Sequence, residues 1–284
     1  MSLYRRFVIA GLGLIGGSLG MAVKRHGLAE EVVGLARRRE TIDQALDMGA
    51  VDAGTLDPME AAADADAVVL AAPVMASMAL GRVMMPHMKP GSVVTDVCST
   101  KSLLIAELKK AKPEGLSLIG GHPMAGAEKA GIAYASADLF VNARYLLMPV
   151  EDRDGHGERL AALVREIGAR PEVVELEEHD ALVAMVSHLP HAAAQCLVNT
   201  VADLGLKELT RLAAGGFKDI TRVAGSDPRM WSDIYISNKT EVLRALELFK
   251  SQLDRLSDMI SGSDEEALLE FLKNAKEYRD GLSG

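Results

Sequence analysis

Disulfide and thiolate chemistry have little to work with in this chain. Two cysteines, Cys98 and Cys196, stand among 284 residues. Their spacing is not that of a metal site, and two lone thiols fit a reducing compartment. Aromatic residues are also scarce, at 4%, whereas alanine, leucine and methionine are plentiful. Small and flexible apolar side chains suit helices that pack closely. There is no basic excess: the net charge of −9 argues against nucleic acid as a partner. A local basic site for a dianionic substrate is compatible with that total. No apolar run of about 18 residues and no signal peptide stands out, so a soluble cytoplasmic protein with no membrane partner is expected. No internal repeat or low-complexity tract is visible. The length suffices for two domains, each with its own core.

What is present begins at once. Phe7–Ala10 is an apolar run, and Gly11-Leu12-Gly13-Leu14-Ile15-Gly16 follows it directly. Gly17 to Val23 then continues at helical spacing. A strand, a tight turn carrying G-x-G-x-x-G and a helix form the pattern of a dinucleotide site. Gly11 permits the turn, Gly13 lets the backbone approach a pyrophosphate, and Gly16 lets helix and strand pack closely. Leu14 and Ile15 open the helix within the same turn. The next strand candidate is Val32–Leu35. An NAD site would place a carboxylate just after it, to hold the ribose 2′-hydroxyl. Ala36 stands there instead, followed by Arg37, Arg38 and Arg39. A guanidinium pairs with a 2′-phosphate that a carboxylate would repel, so NADP is the predicted cofactor and NAD the alternative. Ala72 and Pro73, after the strand candidate Ala67–Ala71, complete the predicted cofactor contacts.

Strand candidates continue with Ser92–Thr95, Leu116–Ile119, Arg144–Met148 and Glu172–Glu175. Helical patterns lie between them near Ile15–His26, Glu40–Met48, Ser77–Met85, Lys101–Lys110 and Gly157–Ile167. Such alternation predicts a doubly wound, mostly parallel α/β sheet over residues 1–175. Arg144–Met148 arrives without an obvious crossover helix, so the later strands are expected to run antiparallel. Beyond Glu175 strand signals stop. Asp180–Leu204, Thr210–Ala214, Pro228–Leu248, Phe249–Ile260 and Glu265–Arg279 read as helices, which makes 176–284 an all-α domain. Its long apolar helices point to self-association.

Polar clusters fall where sheet strands end. Gly120-Gly121-His122-Pro123-Met124-Ala125-Gly126-Ala127-Glu128 follows the strand Leu116–Ile119. Gly and Pro predict an irregular loop there, and loops at that edge carry ligands in α/β proteins. His122 is thereby placed to handle a proton beside a nicotinamide. Glu128 either orients a cationic group or caps the next segment. Asp96 to Lys101 follows another strand; Ser99 reads as a helix cap or a substrate contact, and Lys101 as a solvated residue. Ser187-His188-Leu189-Pro190-His191 puts two histidines on one helix face, with a kink expected at Pro190. Two histidines are too few for a metal, and no metal is predicted. Asp180, two turns earlier, is read as orienting His188 or His191 or a bound cation. Gly215-Gly216 implies a close backbone approach, and Arg222 beyond it suits a carboxylate, with Lys218 as the less specific choice. Trp231 reads as a packing anchor.

Together these motifs resemble the prephenate/arogenate dehydrogenase family of tyrosine biosynthesis. The resemblance rests on Gly11 to Ser18, Gly121 to Gly126, Ser187 to His191, and Gly216 to Arg222 running on to Trp231, in order along nearly the whole chain. It implies a Rossmann domain followed by a helical dimerisation domain, and hence a homodimer. It also implies that His122 contacts the ring hydroxyl, assisted by Ser99, and that Arg222 binds the ring carboxylate. Ser187, His188, His191 and Asp180 would line the substrate pocket. Fused chorismate mutase or regulatory domains, known in the family, are not expected at this length. Prephenate is the predicted substrate, because two histidines compete with Glu128 and Asp180 for its side chain; arogenate is the alternative. A silent NADP-binding regulator would have no use for His122 with Arg222. A β-hydroxyacid dehydrogenase would carry a lysine base in Asp180–Leu204, which contains none.

Overall fold

The computed structural model describes residues 2–126, 129–205 and 214–282. Apolar runs bounded by glycine or polar turns become the strands of one sheet. These are β1 (Tyr4–Ala10), β2 (Ala29–Leu35), β3 (Ala53–Thr55), β4 (Ala67–Leu70), β5 (Val93–Asp96), β6 (Ser117–Pro123), β7 (Arg144–Glu151) and β8 (Arg170–Val173). The order is β3-β2-β1-β4-β5-β6-β7-β8. The first six strands are parallel, β7 runs antiparallel to β6, and β8 runs parallel to β7. The order reverses between β1 and β4, and that crevice is where doubly wound sheets bind dinucleotides.

Alternate residues of each strand feed two cores. Phe7 and Ile9 face α1 (Leu14–Arg25), α2 (Arg39–Asp47) and α6 (His156–Glu166), whose Leu19, Ile42 and Val164 are buried with them. Val8 and Ala10 face the opposite side, with α3 (Pro58–Ala62), α4 (Val74–Met84) and α5 (Ser102–Ala111), through Ala61, Met78 and Leu108. The short β3 and α3 carry too few apolar residues for a periodic signal, and sequence reading passed over both. Asp57 caps α3 by accepting from Met59 N–H at 2.8 Å, with Pro58 in its first turn.

After Val173 every described element is helical. These are α7 (Leu176–Val183), a π-helical turn (Ala184–His188), α8 (Leu189–Asp203), α9 (Gly215–Thr221), α10 (Pro228–Ser237), α11 (Lys239–Ser261) and α12 (Glu265–Gly281). The expected helix Thr210–Ala214 lies largely outside the described residues. The expected break at Leu248/Phe249 is absent, because α11 is continuous there; the break falls at Asn238 instead. Asp264 caps α12 through Ala267 N–H. The chain divides into two compact units, Met1–Lys239 and Thr240–Gly284. The first unit thus holds the sheet together with the helices up to α10.

From Leu176 to Asp203 the helix runs for 28 residues and is, by length and composition, apolar enough to cross a membrane. That corrects the expectation that no such run exists. His179, Asp180, His188 and His191 interrupt the run with polar side chains. The first three are buried and hydrogen-bonded within the first unit.

Candidate active site

The cofactor edge is built by the ends of β1 and β4. Gly11 has φ of +119°, and a Cβ there would lie 2.7 Å from the Ala71 carbonyl and Ala72 nitrogen. Gly16 packs so closely that a Cβ would come 2.0 Å from Gly11 O. At Gly13 nothing lies within 4 Å of a Cβ position, which leaves the backbone open to a ligand. Neither α1, capped by Gly13, nor α4, capped by Pro73, has a side chain on its first N–H groups. Two free helix N-termini at one crevice fit a pyrophosphate. Leu14 and Ile15 line the first turn of α1, and Ala72 and Pro73 the start of α4. At the end of β2, Ala36 is half-buried and Arg37 and Arg38 are exposed. Arg39 is taken by Asp43 at 3.0 Å. Among the described residues no ion pair engages Arg37 or Arg38.

His122 does not sit in a loop, as expected, but inside β6. The strand continues to Pro123 because β7 pairs with it, His122 opposite Leu146. That partner is distant in sequence, so local reading ended the strand early. Gly121 lets β6 lie against the end of β5: a Cβ would come 2.3 Å from Asp96 O. Its N–H reaches Asp96 Oδ2 at 3.3 Å. Lys101, read as solvated, is fully buried and bonded to Asp96 Oδ1. It also donates to Cys98 O at 2.7 Å and Thr100 O at 3.3 Å. These carbonyls of the β5–α5 connection need donors away from water, and Lys101 supplies them.

Behind His122 stands a residue that sequence reading missed. His122 Nδ1 lies 2.9 Å from His179 Nε2, and His179 Nδ1 lies 2.8 Å from Asp180 Oδ1. Asp180 also accepts from Lys101 N and Ser102 N, each at 2.8 Å. Asp180 therefore caps α5 and orients His179, in place of His188, His191 or a cation. Ser99 caps nothing; it is half-buried in the β5–α5 connection. Burial alone pushes the Asp180 carboxyl up, but bonds from His179, Ser102 and Lys101 together hold it at about 2. As a carboxylate it only accepts, so His179 Nδ1 carries the hydrogen. When His122 Nδ1–H donates to His179 Nε2, the His122 Nε2 is left with its lone pair. Burial, then the charge on Lys101, pushes the His122 pKa well below 6.5.

His188 and His191 flank Trp231. His191 stacks on the indole at 3.7 Å, and His188 meets it edge-on at 5.9 Å. The Trp231 indole N–H is buried without a partner. Asn238 donates to Asp180 O at 2.8 Å and to His188 Nδ1 at 3.2 Å. His191 Nδ1–H donates to Ser187 O at 3.0 Å. The π turn before Pro190 absorbs the missing N–H and replaces the expected simple kink. Burial lowers His188 to about 4 and also lowers His191, which Arg222 nearby reinforces. Arg222 and Lys218 are exposed, Arg222 in a 3₁₀ turn beyond α9. Gly215 and Gly216 meet no close backbone, contrary to expectation: the nearest atom is Asp219 Oδ2, 3.9 Å from Gly215. They simply open the exposed α9. Glu128 lies outside the described residues.

A pH test follows from these histidines. A histidine held neutral by burial binds fewer protons than the unfolded chain below 6.5. Stability is therefore full above that value and is lost as pH falls toward the folded pKa. His188 alone gives a loss of about 2 kcal/mol at about pH 5. Thermal unfolding is expected to fall by roughly 4–8 °C between about pH 7.5 and about pH 5. Equal Tm at both would contradict neutral burial.

The arrangement sets a buried histidine on β6 in the same sheet as a glycine-lined crevice, with His188 and His191 against Trp231 and Arg222 near His191. Residues 19–173 match the family description "Prephenate dehydrogenase, nucleotide-binding domain". Residues 175–274 match "Prephenate dehydrogenase, dimerization domain".

The chain belongs to the prephenate dehydrogenase family.

Prephenate dehydrogenase of Bacillus subtilis (strain 168) is 36% identical over 283 residues, 97% of this chain and 75% of its own. Cyclohexadienyl dehydrogenase of Zymomonas mobilis is 33% identical and covers 99% of this chain and 97% of its own. The Aquifex aeolicus prephenate dehydrogenase structure, in complex with hydroxyphenyl propionate and NAD+, superposes with a TM-score of 0.90. It is 33% identical and covers 98% of each chain. As a family member the chain is an NAD(P)-dependent dehydrogenase with a nucleotide-binding α/β domain and a helical dimerization domain.

Proposed function

We propose that this chain oxidatively decarboxylates prephenate to 4-hydroxyphenylpyruvate, with NADP+ preferred to NAD+ as hydride acceptor. The observation that carries this reading is His122: buried, uncharged, and backed by His179 and Asp180 so that Nε2 is its accepting atom. The substrate ring bears a 4-hydroxyl and a 1-carboxylate. The bound nicotinamide would take the hydride from C4. His122 Nε2 takes the hydroxyl proton, a step suited to a base that is already neutral. The C4–O bond becomes a carbonyl conjugated to C1, the C1–carboxylate bond breaks as carbon dioxide leaves, and its electron pair aromatises the ring to a phenolate, which takes the proton back from His122. Ser99, on the β5–α5 connection, assists at the hydroxyl in this reading. Arg222 holds the carboxylate side, with Ser187, His188 and His191 around the side chain.

Prephenate and arogenate differ by a keto or an ammonium group. An acid free to pair would favour arogenate, but both oxygens of Asp180 are occupied by α5 and His179. That supports the keto acid. The test is steady-state turnover of each substrate with each cofactor. Fastest turnover of prephenate with NADP+ is expected; turnover in none of the four pairings overturns the reading. Arogenate as the faster substrate, or NAD+ as the faster cofactor, overturns that part alone.

For the cofactor, exposed Arg37 and Arg38 are the groups left to meet a 2′-phosphate. Replacing both by alanine is expected to cut kcat/KM for NADP+ by about 10- to 100-fold and leave NAD+ use near wild type. An equal loss with both cofactors counts against this assignment. In the same reading, 1–175 binds the dinucleotide and 176–284 supplies the pocket wall and dimer contacts. The chain carries the family's dimerization domain and pairs as a homodimer. Exposed Leu182, Val186 and Ile236 are apolar side chains that such pairing would cover.

A further inference from the structure

Gly17 is not explained by the dinucleotide pattern, which ends at Gly16. A Cβ on Gly17 would lie 2.3 Å from Ile132 Cδ1 and 3.0 Å from Ala135 Cβ. Ile132 is 5% exposed and sits in the core cluster beside α1. It lies in the excursion between β6 and β7, the segment that leaves the His122 strand. Gly131, at φ of +99°, turns this segment onto the helix. Ser18 Oγ then accepts from Ser136 N–H at 2.9 Å, and Arg25 pairs with Asp138. Gly17 and Ser18 in one turn and Arg25 about two turns on thus hold one segment of the chain against α1.

We propose that Ile132 is a positioning residue: seated in the notch over Gly17, it fixes the strand bearing His122 against the first turn of the cofactor helix. The inference rests on the cofactor and substrate reading above. It explains a glycine where the cofactor itself needs none.

The test is size complementation. Gly17→Ala places a methyl against Ile132 Cδ1, and Ile132→Val removes that atom. Gly17→Ala is expected to lower kcat by about tenfold or more, since small displacements at a reacting centre carry large losses. NADPH affinity, measured by fluorescence titration, should stay within about threefold. Trypsin should cut after exposed Lys129 several-fold faster, reporting the loosened segment. The double variant Gly17→Ala/Ile132→Val should restore both kcat and tryptic resistance. Two results overturn the proposal: Gly17→Ala matching wild type, or a double variant as impaired as the single. The tryptic readout needs no substrate, so it decides the positioning role even if prephenate is not turned over.

Discussion

Replacing His122 by asparagine is expected to lower kcat by about a thousandfold, with KM for substrate and cofactor changed by no more than about threefold. The argument is one of atoms. Asparagine is of similar size and can keep one hydrogen bond toward His179, so the pocket retains its shape. It offers no nitrogen lone pair to receive the hydroxyl proton. Loss of a positioned base removes an interaction made in the transition state, so the loss appears in kcat. Arg222→Gln should give the opposite pattern. The guanidinium holds a carboxylate equally in ground and transition states, so its removal should raise KM by about 10- to 100-fold and change kcat little. Steady-state kinetics on the two variants separates the roles. A KM effect at His122 with a kcat effect at Arg222 would refute both assignments.

Features that local sequence encodes were readable before the fold. Gly11, Gly13 and Gly16 act through the turn they occupy, so their spacing was enough. His122 was identified from its neighbours, but its surroundings were misjudged, because β7 pairs with it from more than twenty residues away. Lys101 was misread although its partners are close in sequence. Its partners are Asp96 and two carbonyls that the fold turns inward, and nothing in its own neighbourhood marks it as buried. His179 escaped notice through helix geometry. On an unbroken α-helix nine residues place it about half a turn away from His188. The π turn Ala184–His188 takes up one extra residue and returns roughly 100° of that rotation. A histidine beside Asp180 was the available signal. Gly215-Gly216 erred the other way: paired glycines announce a close approach or an open turn, and only the fold distinguishes them.

The relay behind His122 makes a sharper prediction than its removal. In Asp180→Asn one carboxylate oxygen becomes an NH2. If that group faces His179, it donates to Nδ1, so His179 must carry its proton on Nε2. His179 then donates to His122 Nδ1, which puts the His122 proton on Nε2, the atom needed as a base. The wrong tautomer passes through two rings. In either orientation the NH2 group meets a backbone donor, Lys101 N–H when it faces His179 and Ser102 N–H when it does not, so one of the two cap bonds on α5 is lost, at a cost of about 1 kcal/mol. The orientation facing His179 is the one that sets the tautomer, and the kinetic expectation is for it. We expect Asp180→Asn to lower kcat by about 100-fold or more with KM near wild type. Asp180→Ala removes the cap as well but imposes no tautomer, because His179 is then free to protonate at either nitrogen. Stability and activity should therefore rank differently. Asp180→Ala should have the lower Tm and the higher kcat, and Asp180→Asn the reverse. If kcat simply follows Tm across the two variants, Asp180 serves only as a helix cap, and the proton path from His122 does not extend beyond its own ring.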